Sequence, residues 1–409
     1  MNIPLCRPDI TEREIEYVTR ALRSGQLSLG PRLAQFEERF AAYIGARYAV
    51  ATNSGTSALH LCVKALGIEA GDEVLTTSFS FVASANCLLY ERAIPTFVDI
   101  HPATLNIDPM ELQQWIERHC SWERVQKRLI DRSTGRRVKA ILPVHVFGLP
   151  CDMTPILGIA NRFNLRVIED ACEAVGAEYY GRRVGTFGDA AAFAFYPNKQ
   201  ITTGEGGMVV TNDERVADLC RSLRNQGRDP DCEWLSHTRL GYNYRLSDLH
   251  CALGLAQLER IDELLAARAR VAAAYTRALM SVPQLVLPHS SPELIRSWFV
   301  YPIQLAGPAS ANTRDRLMQQ LRRRGIACQA YFPAIHEQPY YRESAPAARV
   351  SLPHTEAASS RCLALPFYGS MTEQEILAVC SAVREILTEA SSTPDQRLHQ
   401  AALAAHAGN

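Results

Sequence analysis

The segment FYPNKQITTGEGG, residues 195–207, places one lysine between a turn that contains proline and a turn rich in glycine. Lys199 follows the run AAFAFYP, which is unusually apolar for the approach to an exposed lysine. An amine attacks a carbonyl carbon only as the free base. A reactive lysine therefore needs burial or a cationic neighbour to lower its pKa. Taken alone, the segment is more typical of an exposed hairpin, and the rest of the chain has to decide between the two interpretations.

A second segment that could do chemistry is TNSGTSAL, residues 52–59, which has the form of a strand turning through Gly55 into a helix. The first N–H groups of a helix have no intrahelical partner, so an anion is favoured there, with the hydroxyls of Thr56 and Ser57 nearby. The Gly-Lys-Ser/Thr ending of a Walker loop is missing. Many helices begin this way, so the segment alone is a weak indicator of phosphate binding.

The third segment is RVIEDACEA, residues 166–174, where an apolar strand ends on Glu169 and Asp170. A carboxylate at that place can keep a ring nitrogen protonated, because an adjacent anion favours the cationic form of its partner. An aspartate that caps the next helix is the alternative. Together, a phosphate site, a carboxylate for a ring nitrogen and a desolvated lysine are the parts that pyridoxal phosphate requires.

Strands and helices alternate around these segments. Apolar runs such as RYAVAT, DEVLTTS and LRVIED are each followed by a stretch of helical pattern. This alternation predicts an α/β fold with a mainly parallel sheet covered on both faces. In such sheets ligands bind at the carboxyl ends of the strands, which is where the three segments fall.

The ends of the chain and its domains can also be predicted. Thr11 and Glu14 form a capping-box pattern for a first helix that Gly25 closes, and a second helix follows between Pro31 and Gly45. A long amphipathic segment runs from about residue 247 to 279, and the basic stretch 124–139 is predicted to be a solvated insertion. We predict a large domain over 1–280 with a helical segment at 1–46, a smaller C-terminal α/β domain over 281–390, and a flexible tail at 391–409.

The composition is that of an ordinary soluble globular protein. Of 409 residues, 47% are hydrophobic and 21% charged, and the formal net charge is zero, which favours neither nucleic acid nor an anionic membrane as partner. No apolar run approaches the ~18 residues that span a bilayer. Twelve scattered cysteines without C-x-x-C spacing indicate a reduced, cytoplasmic protein with no zinc or other metal site.

The chain resembles the DegT/StrS-like sugar aminotransferases, and among them the perosamine-synthase branch. NKQITTGEGGMVVTND is the most specific block, and YNYRLSDLHCALGLAQLERID and YFPAIHEQPYYRE are further ones. The resemblance runs from about residue 4 to 386. It implies an aspartate-aminotransferase-type fold (fold type I) with a pyridoxal-phosphate-binding large domain and a smaller C-terminal α/β domain.

The resemblance also assigns roles to residues of the cofactor site. Lys199 matches the lysine that forms the Schiff base and shuttles the proton, and Asp170 matches the partner of the pyridinium nitrogen. Glu173 matches a position near the phenolic oxygen of the cofactor. Gly55 and Thr56 match the phosphate-binding turn.

The resemblance also implies roles for residues around the cofactor site. Phe81 lies where the family stacks an aromatic ring on the pyridine face, although most phenylalanines are plain core. Asn243 matches an asparagine that reaches the phosphate of the neighbouring subunit, which implies a homodimer with shared sites. Arg245 and His336 lie in blocks that the family uses near the sugar nucleotide. One position departs from the family pattern, because Ala194 stands where the family commonly has a serine that bonds the phosphate. Either Ser57 or a water compensates for this serine, or the affinity for the cofactor is lower.

The reaction implied is a ping-pong transamination from L-glutamate to a nucleotide-linked keto sugar, with a 4-keto-6-deoxy hexose as the best match. A 3-keto sugar nucleotide or a cyclitol ketone is the alternative within the family. The dehydratase branch carries histidine in place of Lys199 and does not fit. A non-catalytic cofactor-binding regulator and a nucleotide-binding protein are the alternatives of other classes. The presence of Lys199 and Asp170 argues against a regulator. The lack of a nucleotide-binding loop argues against a nucleotide-binding protein.

Overall fold

A computed structural model describes residues 2–229, 233, 235–307, 311–344 and 350–391. The tail predicted at 391–409 lies, apart from its first residue, outside this part of the chain. The helices of the described residues are Glu12–Ser24 (α1), Pro31–Ile44 (α2), Gly55–Ala65 (α3), Ala83–Leu89 (α4), Pro109–His119 (α5), Met153–Arg162 (α6), Glu214–Arg224 (α7), Asp248–Glu259 (α8), Ile261–Leu279 (α9), Ala311–Arg323 (α10), Pro339–Ser344 (α11), Pro353–Arg361 (α12) and Glu373–Ser391 (α13).

The strands of the same residues are Tyr48–Thr52 (β1), Glu73–Thr77 (β2), Ile94–Val98 (β3), Cys120–Glu123 (β4), Arg128–Asp131 (β5), Arg137–Leu142 (β6), Arg166–Asp170 (β7), Glu178–Tyr179 (β8), Arg182–Arg183 (β9), Ala190–Ala194 (β10), Gly207–Thr211 (β11), Leu285–Val286 (β12), Leu294–Ile295 (β13), Tyr301–Leu305 (β14) and Cys362–Leu365 (β15).

The central sheet has the strand order β1-β11-β10-β7-β6-β2-β3, with the β4–β5 hairpin attached at β6. β10, β7, β6, β2 and β3 pair in parallel, and β11 is antiparallel to both β1 and β10. Six of the seven strands in this order therefore run in one direction and end at one edge of the sheet. Every residue of β2, β10 and β11 is buried, as expected for strands that are covered on both faces.

The first two helices begin and end where the sequence predicts. The Thr11 side chain accepts from the backbone of Arg13, Glu14 completes the capping box, and Gly25 ends α1 in the left-handed region at φ 71°. Pro31 opens α2, and Gly45 ends it at φ 84°.

One segment differs from its prediction, and the structure divides another into two helices. The basic stretch 124–139 contributes β5 and the first residues of β6, so it extends the sheet, although the tip of the β4–β5 hairpin is exposed. The amphipathic segment 247–279 is two helices, broken at Arg260. The guanidinium of Arg260 binds Asp9 and Glu14, contacts with distant residues that a helical pattern does not reveal.

A smaller three-stranded sheet of order β12-β14-β15 has a core of its own. Helix α9 contributes to two cores: its first turns pack in one with α2 and α8, and its last three turns, with Tyr275, pack in the core of the small sheet. Ile3 also joins the small-sheet core. The division into domains at residue 280 stays a prediction. Among the described residues, no helix combines the length and the apolar character that crossing a membrane requires.

Candidate active site

A cavity of about 450 Å³ lies at the sheet edge where the parallel strands end. This volume is within the ~300–1,000 Å³ that is usual for small-molecule sites. Its wall brings together residues from the ends of β1, β2, β7 and β10, as the parallel topology predicts. The predicted site residues that line it are Gly55, Thr56, Phe81, Asp170, Glu173 and Lys199.

Lys199 lies in the connection between β10 and β11, with its side chain only 13% exposed. Its Nζ is 3.6 Å from Glu173 Oε1 and 4.1 Å from the ring centre of Phe299. The buried guanidinium of Arg268 donates from Nη2 to the Lys199 carbonyl at 2.7 Å, which holds the lysine backbone. The amine thus sits in a partly apolar, enclosed position, and the hairpin is not an exposed one.

Asp170 ends β7 and is 4% exposed. Its Oδ2 accepts a hydrogen bond from Ser84 Oγ at 2.6 Å, and its Oδ1 accepts from the backbone N–H of Cys172 at 3.1 Å. Ser80 Oγ lies 2.7 Å from Ser84 Oγ and continues this chain of hydroxyls. Each carboxylate oxygen therefore has one fixed donor, and each keeps capacity for another.

Glu173 is a buried carboxyl beside the lysine. Its Oε2 accepts from the backbone N–H of Phe147 at 2.9 Å, and its Oε1 faces Lys199. Burial raises the pKa of Glu173, against the opposing effects of the Lys199 charge and the Phe147 hydrogen bond.

The start of α3 forms the opposite wall. Ser54 caps the helix by accepting from the Ser57 backbone N–H at 3.1 Å, which leaves the N–H groups of Gly55 and Thr56 at the cavity. A Cβ on Gly55 would lie 2.6 Å from the Ala194 Cβ, so the turn and β10 are in direct contact. The Ser57 hydroxyl donates to Asn53 Oδ1 at 2.7 Å, and Ser57 does not line the described cavity, so its compensation for the serine missing at 194 finds no support.

The other predicted residues occupy different surroundings. Phe81 is 59% exposed at the cavity mouth. Asn243 is exposed, with its carbonyl 3.4 Å from Asn53 Nδ2, and Arg245 donates to Asn225 Oδ1 at 3.0 Å. These two do not line the described cavity.

His336 is buried and also stands apart from the described cavity wall. Its Nδ1 lies 2.7 Å from Ser78 Oγ, and its backbone N–H donates to the same oxygen at 3.0 Å. The predicted role of His336 in substrate binding remains a prediction, as do the roles of Asn243 and Arg245.

Residues 8–384 match the DegT/DnrJ/EryC1/StrS aminotransferase family. The chain belongs to this family. It is 40% identical over 388 residues to the GDP-perosamine synthase of Caulobacter vibrioides, covering 94% of this chain and 98% of that protein. It is 37% identical over 395 residues to the spore coat polysaccharide biosynthesis protein SpsC of Bacillus subtilis, covering 94% and 97%. The solved structure of Helicobacter pylori PseC, an aminotransferase involved in the biosynthesis of pseudoaminic acid, matches with a TM-score of 0.87 and 27% identity over 95% of this chain and 100% of PseC.

This DegT/DnrJ/EryC1/StrS aminotransferase is therefore an enzyme that depends on pyridoxal phosphate, and its predicted α/β fold is confirmed. The residues of the cavity fit the cofactor. Free N–H groups at a helix start suit a phosphate, a buried carboxylate with spare acceptor capacity suits a protonated ring nitrogen, and an enclosed amine lies between them.

Several residues of this aminotransferase site were missed by the sequence analysis. Ser84 is the hydroxyl donor to Asp170, Phe299 is the ring beside the lysine amine, and Arg268 holds the lysine backbone. Ser84 lies in the first turn of α4 and Ser80 lies three residues before that helix, so no local pattern marks them as neighbours of Asp170. Phe299 and Arg268 belong to segments far along the chain and carry no local signal.

Proposed function

We propose that the enzyme transfers the amino group of L-glutamate to the ketone carbon of a nucleotide-linked keto sugar, best a 4-keto-6-deoxy hexose, in a ping-pong reaction. The observation that carries this proposal is the enclosed Lys199 amine, which faces the Glu173 carboxylate in the same cavity as Asp170 and the start of α3. The relative named GDP-perosamine synthase supports a nucleotide-linked sugar as the acceptor class.

In this proposal the chain holds pyridoxal phosphate through three groups. The N–H groups of Gly55 and Thr56 would bind the phosphate, and the Asp170 carboxylate would hold the proton on the ring nitrogen. Phe81, at the cavity mouth, would cover one face of the ring. When bound, the cofactor supplies an electron sink for the carbanion at the substrate carbon.

Lys199 is the group that moves the proton. Its Nζ acts as general base toward the donor carbon and as general acid toward the acceptor carbon. Glu173 Oε1, 3.6 Å away, and the Phe299 ring restrict the amine to one region of the cavity. Both half-reactions use this amine, since among the described lining residues Lys199 is the sole lysine.

We also propose a homodimer whose subunits share their sites. The exposed Asn243 side chain, held away from the described cavity wall of its own chain, supports a contact with the neighbouring subunit. The 59% exposed Phe81 at the cavity mouth is consistent with cover by a second chain.

The first experiment records the absorption spectrum of the protein with pyridoxal phosphate, before and after excess L-glutamate. We expect a visible band that gives way to a near-ultraviolet band. A panel of keto sugar nucleotides is then offered to the aminated enzyme, and the visible band should return with a 4-keto-6-deoxy sugar. A band indifferent to glutamate contradicts the donor, and return of the band with 3-keto sugars or cyclitol ketones alone contradicts the acceptor.

The shared site is tested by mixing Lys199→Ala with Asn243→Ala under conditions of subunit exchange. If Asn243 acts across the interface, the mixed dimers contain one intact site and recover partial activity. If mass spectrometry demonstrates subunit exchange and no activity is recovered, the shared site is contradicted.

A further inference from the structure

The last two residues of β7 face opposite sides of the sheet. Asp170 faces the cavity, whereas Glu169 points away from it into a fully buried position beside His145. Both side chains of this second pair are 0% exposed. A buried carboxylate directly behind the cavity needs an explanation, because an ionised group without partners is strongly disfavoured there.

Glu169 is fully provided with hydrogen-bond donors. Its Oε2 accepts from His145 Nε2 at 3.1 Å and from the Gly185 backbone N–H at 2.8 Å. Its Oε1 accepts from the backbone N–H groups of Phe187 and Gly188 at 2.7 and 2.8 Å. Burial raises the pKa of Glu169, but these hydrogen bonds outweigh it and leave the pKa below its usual range.

The tautomer of His145 follows from its second contact. The backbone N–H of Cys151 donates to His145 Nδ1 at 3.0 Å, so that nitrogen carries no proton. Nε2 must then be the protonated nitrogen, and it donates to Glu169. The contact between His145 and Glu169 is thus a directed hydrogen bond with a fixed polarity.

The segment around His145 also holds the cavity residues by their backbones. The His145 N–H donates to the Asp170 carbonyl at 3.0 Å, and the Asp170 N–H donates to the Pro143 carbonyl at 2.9 Å. Two residues further on, the Phe147 N–H binds Glu173. Any shift of this segment would therefore move the carboxylates of Asp170 and Glu173 together.

We propose that His145 and Glu169 are a positioning pair, which fixes the carboxyl end of β7 and thereby orients Asp170 toward the cofactor. This inference rests on the proposed role of Asp170 at the ring nitrogen. Neither side chain of the pair touches the cavity, so both act through the backbone of their neighbours.

The test compares two replacements of His145 that differ in hydrogen bonding. His145→Gln retains one acceptor and one donor, as the neutral imidazole has, whereas His145→Leu retains neither. Ile168→Val, on the same buried strand, is the control for a loss of packing without a loss of hydrogen bonds. For each variant we would measure the thermal midpoint of the apoprotein, the dissociation constant of pyridoxal phosphate and the visible circular dichroism of the bound cofactor.

If the pair positions Asp170, His145→Leu weakens cofactor binding by about tenfold or more, the equivalent of one hydrogen bond to a charged group, and alters the dichroic band. The dissociation constant of pyridoxal phosphate for His145→Gln should remain within about threefold of the wild-type value, because glutamine retains one donor and one acceptor. Equal binding and equal bands for His145→Leu, His145→Gln and Ile168→Val would overturn the proposal.

Two further measurements separate the possible failures. Asp170→Asn tests the proposed role of Asp170, and an unchanged spectrum and cofactor affinity for this variant refute that role. If Asp170→Asn changes the spectrum and the affinity but His145→Leu leaves both as in the wild type, the positioning pair alone is refuted. Should His145→Leu not fold, nitrogen-15 NMR of histidine-labelled protein decides, with His145→Gln to assign the signal. A protonated Nε2 and a bare Nδ1 support the pair, and a protonated Nδ1 contradicts it.

Discussion

Gly55 offers a sharp test of the close contact between the start of α3 and β10, at the turn that we propose binds the cofactor phosphate. A Cβ at this position would lie 2.6 Å from the Ala194 Cβ and 3.1 Å from Cys172 Sγ. Carbon atoms in contact normally lie ~3.5–4.0 Å apart, so Gly55→Ala forces the turn and β10 to separate by roughly 1 Å. The nearer neighbour is the Cβ of a strand residue, whose position is fixed by the backbone and cannot change by side-chain rotation.

The expected magnitude follows from overpacking. Inserting a methyl group into a closed contact costs about 1–3 kcal/mol of the free energy of unfolding. The same displacement moves the N–H groups that the proposal assigns to the phosphate, so we expect the affinity for pyridoxal phosphate to fall by about tenfold, or ~1.4 kcal/mol.

Gly55→Ala is combined with Ala194→Gly in a double-mutant cycle. Ala194→Gly removes the Cβ that lies nearest to the added methyl group. A glycine inside a strand costs ~0.5–1 kcal/mol by itself. The double variant should be more stable than the sum of the single effects predicts, by ~1 kcal/mol or more, because its nearest residual contacts are Cys172 Sγ at 3.1 Å and the Cα of residue 194 at 3.4 Å.

Urea unfolding of the apoproteins and titration with pyridoxal phosphate measure both effects. Gly158→Ala is the control, because Gly158 is exposed within α6 and an added Cβ there meets nothing within 4 Å. That variant should be stabilised by ~0.4–1 kcal/mol with unchanged cofactor affinity. A wild-type stability for Gly55→Ala, or strict additivity in the double variant, would refute the reasoning.

Three other predictions concern the same cavity. Lys199→Ala should lose the visible cofactor band and nearly all turnover while keeping its fold by far-ultraviolet circular dichroism; a retained band would remove the lysine from the site. Ala194→Ser should slow the loss of cofactor on dialysis, since one hydroxyl to a phosphate is worth on the order of 1 kcal/mol; an equal rate of loss would mean that another group already binds there. Because burial raises the pKa of Glu173, the folded protein retains this proton to higher pH than the unfolded chain, so the contribution of Glu173 to stability is lost as pH rises above the usual glutamate range through the folded pKa. The difference in unfolding free energy between wild-type and Glu173→Gln apoprotein should therefore shift in favour of the variant from pH 4 to pH 8, and a constant difference would contradict the raised pKa.

Much of the fold was open to prediction because it depends on local patterns. Thr11 with Glu14, and Gly25 after them, mark the bounds of α1 through contacts within a few residues. Apolar runs that alternate with helical patterns indicate a parallel sheet, and a parallel sheet brings strand ends to one edge. The meeting of Gly55, Asp170 and Lys199 at that edge therefore follows from the order of the elements along the chain.

Other features depend on contacts between distant parts of the chain. At the break between α8 and α9, the guanidinium of Arg260 binds the carboxylates of Asp9 and Glu14 near the N-terminus. These contacts cannot be inferred from helical periodicity or charge pattern, because the partners of Arg260 lie more than 240 positions earlier in the chain.

The sequence by itself determined which groups meet at the cavity: the Lys199 amine, the Asp170 carboxylate that ends β7, and the helix start at Gly55. Only the tertiary structure decided how those groups are held. Ser84 reaches Asp170 across 86 positions of the chain, and Arg268 and Phe299 fix Lys199 from segments that follow it. Such contacts depend on the angles and distances at which helices and strands pack, and those follow from the burial of the whole core.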